Sequence, residues 1–387
     1  MPRSPLFGRR IHIAGSISGD PAIAAPDDVA AAQDLVRGLV LSLMRKGANF
    51  VIPVDAEPKR DDGLPLCFDW IIWQAILDGM ASRPANVPTP LAVGVLHNKT
   101  EEQIPQERLE LWDELRDGPR VLIESAAKWN MAAKRMEAQA RHGDILITLG
   151  GGEGVLYLAE LYHDNGRPVI PLNLPLVKAE EGSRRLHDIA LSSIRSSDFF
   201  QVAEAGSAHD WMNRIRFPAR APTDRRVATL VDLLESLERP RAFAVRLLNP
   251  DHADFGDVDS FFETVVQPVV EDELGFRLTV IDGQQAYEHA RIDQEIFEKL
   301  HRSALTIADL TGSRPNCFLE LGYSMGRNLP TIVTAREGFN TPFDIQTFAG
   351  HHWKASGSVK ERRKALLDHI QAVRNRPPMV STAGLIT

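Results

Sequence analysis

Cysteine is nearly absent. Cys67 and Cys317 are the only two in 387 residues; they match neither a metal-ligand spacing nor a disulfide framework and fit a reducing, cytoplasmic setting. Long apolar runs are missing as well. No stretch of about 18 apolar residues occurs, and the basic opening MPRSPLFGRR leads into IHIAGSISGD, not into a signal-type apolar region, so no membrane partner is expected. Positive charge is in deficit, with a formal net charge of −8 and scattered Lys and Arg, which argues against direct nucleic-acid binding. The chain also lacks a P-loop, a G-x-S-x-G elbow, a Cys–His arrangement and any internal repeat.

What is present is enough apolar sequence, 43% of residues against 25% charged, to bury more than one core. Strand-like and helix-like segments alternate: RIHIAG, a helical stretch over 27–47, NFVIPVD, LAVGVLH, RVLIES, a helix, DILITLGGG, a helix and PVIPLNL. A polar helical stretch follows over 178–239, with Pro240 at its end, and a second alternating series begins at AFAVRLL. The pattern predicts an α/β protein of two doubly wound, mostly parallel-sheet domains. They are expected at 1–177 and 240–376, joined by a helical connector, with a loose tail over 377–387. In WIIWQAIL (70–77) two tryptophans three apart read as core or as subunit interface, and a homo-oligomer is expected.

Two glycine-rich turns follow strands of the first series. AGSISGD (14–20) offers small side chains, hydroxyls and backbone amides, and ITLGGGEG (147–154) leads into a helix. In a parallel α/β sheet these places lie at the carboxyl ends of the strands, where helix N-termini favour anions. The glycines fit a phosphate cradle, with Gly15, Ser16, Ser18, Gly151, Gly152, Glu153 and Gly154 as its members; they also fit tight turns and close packing alone. The pair of loops resembles the SLOG superfamily, which joins the lysine decarboxylase-like LOG proteins with the DprA/Smf proteins, over about residues 8–175. The LOG motif reads PGGxGTxxE. Here Gly150 replaces its proline, Val155 its threonine and Leu158 its catalytic glutamate. The resemblance therefore implies a domain that senses a nucleotide-derived signal, such as a cyclic ADP-ribose isomer, in antiphage defence.

The segment TIADLTGSRPNCFLELGYSMGRNLPTIV (306–333) carries the second motif. A strand delivers Asp309 to its carboxyl end, and Glu320 follows about one turn into the next helix, bracketed by Phe318, Leu319 and Leu321. Such carboxylates suit N-glycosidic cleavage, in which one stabilises or attacks an oxocarbenium-like carbon and the other holds a hydroxyl or passes a proton. On the residues alone, Asp309 also fits a turn cap and Glu320 an ordinary helix position. Residues 241–350 resemble the nucleoside 2-deoxyribosyltransferase-like family and its TIR-like relatives, whose signature runs ADLT, NPNVFYELGYA and GKP. The resemblance implies that Glu320 is the catalytic carboxylate with Asp309 in the same pocket, and that Asn316 and Tyr323 bind substrate. In VRLLNPD, Arg246 and Asn249 stand at the expected sugar-phosphate end, although Arg246 equally suits a surface ion pair. His351–His352 have no carboxylate or cysteine at ligand spacing, so neither a metal nor a cofactor is expected.

The expected function is an N-glycosidase effector that hydrolyses NAD, its substrate, when the signal binds. A nucleoside or nucleotide 2-deoxyribosyltransferase or hydrolase, and a non-catalytic signal-binding adaptor, are the alternatives.

Overall fold

The structure is a computed structural model. It describes residues 4–88, 90–96, 100–116, 120–125, 132–192, 200–201, 208–217, 221–281, 292–312, 315–339, 345, 350–374 and 376. The expected tail at 377–387 lies outside these residues. The chain forms two compact units, divided between Glu238 and Arg239.

The first unit is built on six strands: β1 (Arg10–Ser16), β2 (Asn49–Pro53), β3 (Ala92–Leu96), β4 (Val121–Ser125), β5 (Ile145–Gly150) and β6 (Val169–Leu172). They pair in parallel in the order β4-β3-β2-β1-β5-β6. β5 is buried along its whole length, which its run Ile145–Leu149 requires of a strand covered on both faces. Helix α1 (Pro26–Lys46) shows why the intervening segments coil. Proline stands in its first turn with Asp27 and Asp28, Arg45 and Lys46 lie in its last turn, and Gly47 caps it at φ 77°. Its apolar residues recur on one face, from Val29 to Met44, and that face is buried.

Helix α2 (Asp69–Gly79) buries both tryptophans of the WIIW stretch. Trp73 packs edge-on against Trp112 of α3 (Leu109–Arg116), with ring centroids 5.6 Å apart. The indole N–H groups of Trp70 and Trp73 donate to the carbonyls of Asp55 (2.9 Å) and Pro53 (3.2 Å). These tryptophans are core. Helices α4 (Ala132–His142) and α5 (Glu153–Asp164) flank β5.

The stretch expected as a connector is part of the first unit. Helices α6 (Gly182–Ser192), α7 (Ala208–Ile215) and α8 (Thr223–Glu235) contribute Ala190, Met212, Ile215, Leu230, Leu233 and Leu234 to the core that α1 also enters. Glu235 of α8 accepts from Ser4 Oγ at 2.6 Å and pairs with Lys46 Nζ at 2.9 Å. The reason is amphipathicity. These helices look polar in bulk composition, but each presents one buried apolar stripe.

The second unit has five strands: β7 (Arg241–Val245), β8 (Arg277–Thr279), β9 (Leu305–Asp309), β10 (Thr331–Arg336) and β11 (His351–Trp353). They pair in parallel in the order β11-β10-β9-β7-β8. Helix α9 (Phe255–Phe261) runs into two π-helical turns, Phe262–Val266 and Val269–Glu273, that flank Pro268. Helices α10 (Ile292–His301), α11 (Pro315–Gly326) and α12 (Val359–Arg374) complete the layers. One core holds Phe261, Val266, Phe276, Trp353 and Leu366, the other Phe243, Leu300, Ala308, Cys317 and Leu321.

Both sheets are thus α/β and doubly wound, as the alternation predicted. Strand order reverses between β1 and β5 in the first and between β7 and β9 in the second, and ligands of such sheets bind at that reversal, outside the carboxyl ends. No helix among the described residues is long and apolar enough to cross a membrane.

Candidate functional site

At the reversal in the first sheet, the register pairs Gly15 with Leu149 and Ser16 with Gly150. Most of the glycines serve the chain's own close approach. A Cβ on Gly15 would lie 1.7 Å from the Leu149 carbonyl oxygen, one on Gly150 (φ 60°) 2.1 Å from that of Ser16, and one on Gly182 (φ 46°) 2.1 Å from that of Gly151. Gly151 (φ 74°) has no room beside Val155, and its N–H donates to the Ser16 carbonyl at 2.7 Å. The backbone is approached closely, and the partner is another stretch of the same backbone.

Gly152, Glu153 and Gly154 differ. All three are exposed, and a Cβ at Gly152 would meet nothing within 4 Å. They open α5, whose first-turn amides have no earlier carbonyl in the helix to bond. The Glu153 side chain is 91% exposed, 3.9 Å from Arg185. The amides of AGSISGD, expected to be available, are largely committed: Ile17 donates to Leu66, Ser18 to Leu176, and Asp20 to Ser18 Oγ. Leu158, at the position of the LOG glutamate, is buried with Val155, Ala159 and Tyr162.

Three ionisable groups to which the sequence assigned no role interact with one another and with the Cys67 thiol. Asp55 follows β2, Asp69 opens α2, and Arg135 of α4 bonds the Asp55 carboxylate. Cys67 pairs its backbone with Ser16. Burial raises the Asp69 carboxyl to about 7; Arg135 opposes the rise and Asp55 adds to it. Burial, then Asp69 and Asp55, push the Cys67 thiol up to about 12. No local motif marks these residues, because strand order alone brings them together.

In the second unit, Asp309 ends β9 and is 1% exposed. One carboxyl oxygen accepts from the Thr311 N–H at 3.1 Å; the other accepts from Thr334 Oγ1 and Trp353 Nε1, both at 2.7 Å. Burial raises its pKa and these donors oppose the rise. Trp353 stacks on Phe261 at 4.4 Å, so this carboxylate ties the ends of β9, β10 and β11 together. Glu320 is half-buried in α11, on the stripe of Cys317, Leu321 and Ser324 that faces the sheet. Ser324 Oγ lies 3.0 Å from the Glu320 carbonyl oxygen and 3.2 Å from Thr306 Oγ1 of β9, within hydrogen-bond distance of both, which fixes the helix on the strand.

Of the four residues expected to bind substrate, Arg246 and Asn249 follow β7, and Asn316 and Tyr323 lie in α11. Arg246 pairs with Asp259 at 2.9 Å and lies over the Phe262 ring, 15% exposed, so it is held by α9. Asn249 is exposed and accepts from the Asp251 N–H at 3.1 Å, forming a turn. Asn316 is exposed in the first turn of α11. The Tyr323 hydroxyl lies 2.7 Å from His301 Nδ1 of α10, and its ring packs edge-on against Phe297. Among the described residues no group of three or more His, Cys, Asp or Glu is placed to hold a metal.

Residues 6–234 match a family model described as ATP nucleosidase Cap17-like, N-terminal, and the match spans more than half of the chain. No curated protein matches the chain.

Proposed function

The chain belongs to the Cap17-like ATP nucleosidase family by its amino-terminal part, a nucleosidase type of protein, and we propose that it is an effector that cleaves the N-glycosidic bond of a nucleotide. In this reading the carboxy-terminal unit cleaves and the amino-terminal unit binds a nucleotide-derived signal. The observation that carries the division is the fate of two helix positions: Glu320 remains a half-buried acid on the helix that follows β9, whereas Leu158 is sealed in an apolar core.

Glu320 supplies the charge that an oxocarbenium-like anomeric carbon needs, either as counter-ion or as nucleophile. Water then adds its hydroxyl to the anomeric carbon; its proton balances the one that adenine takes up on leaving ATP, whereas nicotinamide leaves NAD as a neutral base and the proton of water passes to solvent. Asp309, with its oxygens already accepting three hydrogen bonds, acts as the residue that positions the strand ends. Two substrates are in contention. The family's description names ATP, and the resemblance of 241–350 to the TIR-like proteins implies NAD. Loss of either would arrest a cell under phage attack.

The test is chromatographic detection of adenine from ATP and nicotinamide from NAD, with purified protein in the presence and absence of cyclic ADP-ribose isomers. Signal-dependent release of one base supports the reading and names the substrate. Release of neither, alongside base exchange between deoxynucleosides, would move the protein to the transferase alternative.

A further inference from the structure

The stretch after β7 was expected to meet substrate through Arg246 and Asn249, yet Arg246 is held by Asp259 and Phe262. The group this stretch brings to the sheet is His252. A Cβ on Gly312, in the turn after β9, would lie 3.3 Å from Leu247 Cδ2, 3.3 Å from His252 Cε1 and 3.5 Å from His252 Nε2. The turns after β7 and β9 therefore touch through the His252 ring. They do so at the carboxyl end of the reversal in the second sheet, where ligands of such sheets bind.

The ring is held from its own turn. The His252 N–H donates to the Asn249 carbonyl at 3.2 Å, and Nδ1 accepts from the Asp254 N–H at 3.1 Å. A ring nitrogen that accepts carries no proton, so the neutral imidazole holds its proton on Nε2. That N–H makes no hydrogen bond among the described residues, and the side chain is 35% exposed. Contacts also tie His252 to the Asp309 end of β9. Asp254 and Asp257 each pair with Arg336 at 2.6 Å, the Arg336 N–H donates to Thr311 Oγ1 at 2.9 Å, and the Thr311 N–H donates to Asp309 at 3.1 Å.

Charge and shape narrow what the free N–H can meet. Two carboxylates against one guanidinium leave this cluster negative, which repels a phosphate. The rings of Phe261 and Phe262 are taken by Trp353 and Arg246, so neither offers a face to a base. A sugar hydroxyl, which accepts from an N–H and donates to a carboxylate, matches both groups present.

We propose that His252 donates from Nε2 to a ribose hydroxyl of the nucleotide that the carboxy-terminal unit cleaves. The proposal rests on the reading of that unit as the N-glycosidase and assigns the residue that holds the sugar.

Base release from ATP and NAD by the full chain tests it, with cyclic ADP-ribose isomers present, for the parent, His252→Asn and His252→Gln. The 2′-deoxy and 3′-deoxy forms of the substrate cleaved follow, altered in NAD on the nicotinamide ribose. Asn keeps an acceptor for the Asp254 N–H and lacks the outer donor, whereas the Gln amide reaches the place of Nε2. His252→Asn is expected to lower kcat/KM about 3- to 10-fold, as for one neutral hydrogen bond, and His252→Gln to recover most of that loss. On one of the two deoxy substrates the parent and His252→Asn should be alike, since the hydrogen bond is already gone, a selectivity that a merely structural role would not produce. An unchanged kcat/KM in His252→Asn overturns the proposal, as does the same loss on all three substrates; in both cases base release by the parent leaves the N-glycosidase reading standing. No release by the parent from either nucleotide removes that reading and the proposal with it.

Discussion

The Asp309 carboxylate accepts hydrogen bonds from Thr311, Thr334 and Trp353, whereas Glu320, eleven positions on, lies half-buried on a helix face. Their amide variants are therefore expected to fail differently. Asp309→Asn turns an amide donor toward an existing donor, which should cost about 1–3 kcal/mol in urea unfolding. Glu320→Gln should leave unfolding within about 0.5 kcal/mol of the parent and lower base release by roughly 10²–10⁴-fold. Asp69 gives a pH-dependent prediction. Its folded-state pKa, about 7, lies above its unfolded value, so its contribution to stability is complete below the unfolded pKa and is lost as pH rises toward 7. Thermal melts from pH 5 to 8 should show Asp69→Asn gaining on the parent as pH rises; parallel curves would contradict this. Asp309 and Glu320 were legible because strand, turn and helix lie within one short motif. Asp55, Asp69 and Arg135 were not, since nothing local couples positions so far apart in the chain.

Among the elements, the GGGEG turn separates glycines of opposite use. Gly150 adopts φ 60° with no space for a Cβ, while Gly152 has open space. Gly150→Ala should destabilise by more than about 1 kcal/mol and Gly152→Ala by less, compared by chemical unfolding. The sequence shows four glycines in five residues and cannot say which of them needs a positive φ. The run from α9 through the two π-helical turns is irregular for a local reason. Pro268 has no N–H to reach back to the Thr264 carbonyl, and Arg363 Nε of α12 donates there instead, at 2.8 Å. Arg363→Ala should leave that carbonyl without this donor and lower the stability of the second unit by about 1–2 kcal/mol.

At the scale of the whole molecule, alternation along the chain was sufficient to predict two parallel α/β sheets, because the period of apolar residues changes cleanly between strand and helix. It misplaced the helices of 182–235, whose apolar stripes are narrow enough to read as polar until α1 is seen to meet them. A fragment ending at residue 177 would expose the apolar surface that α6, α7 and α8 cover, whereas one ending at 238 keeps it covered. The shorter fragment is expected to aggregate and the longer to melt cooperatively in calorimetry.

The central claim, that Glu320 in the carboxy-terminal unit breaks a nucleotide N-glycosidic bond, is tested most directly by comparing free base released from ATP and from NAD by the parent protein and by Glu320→Gln, with cyclic ADP-ribose isomers present in both. The account predicts base and the matching ribose phosphate product from the parent and a loss of at least about 100-fold in the variant. Equal release by the two proteins would contradict it and move the chemistry away from Glu320.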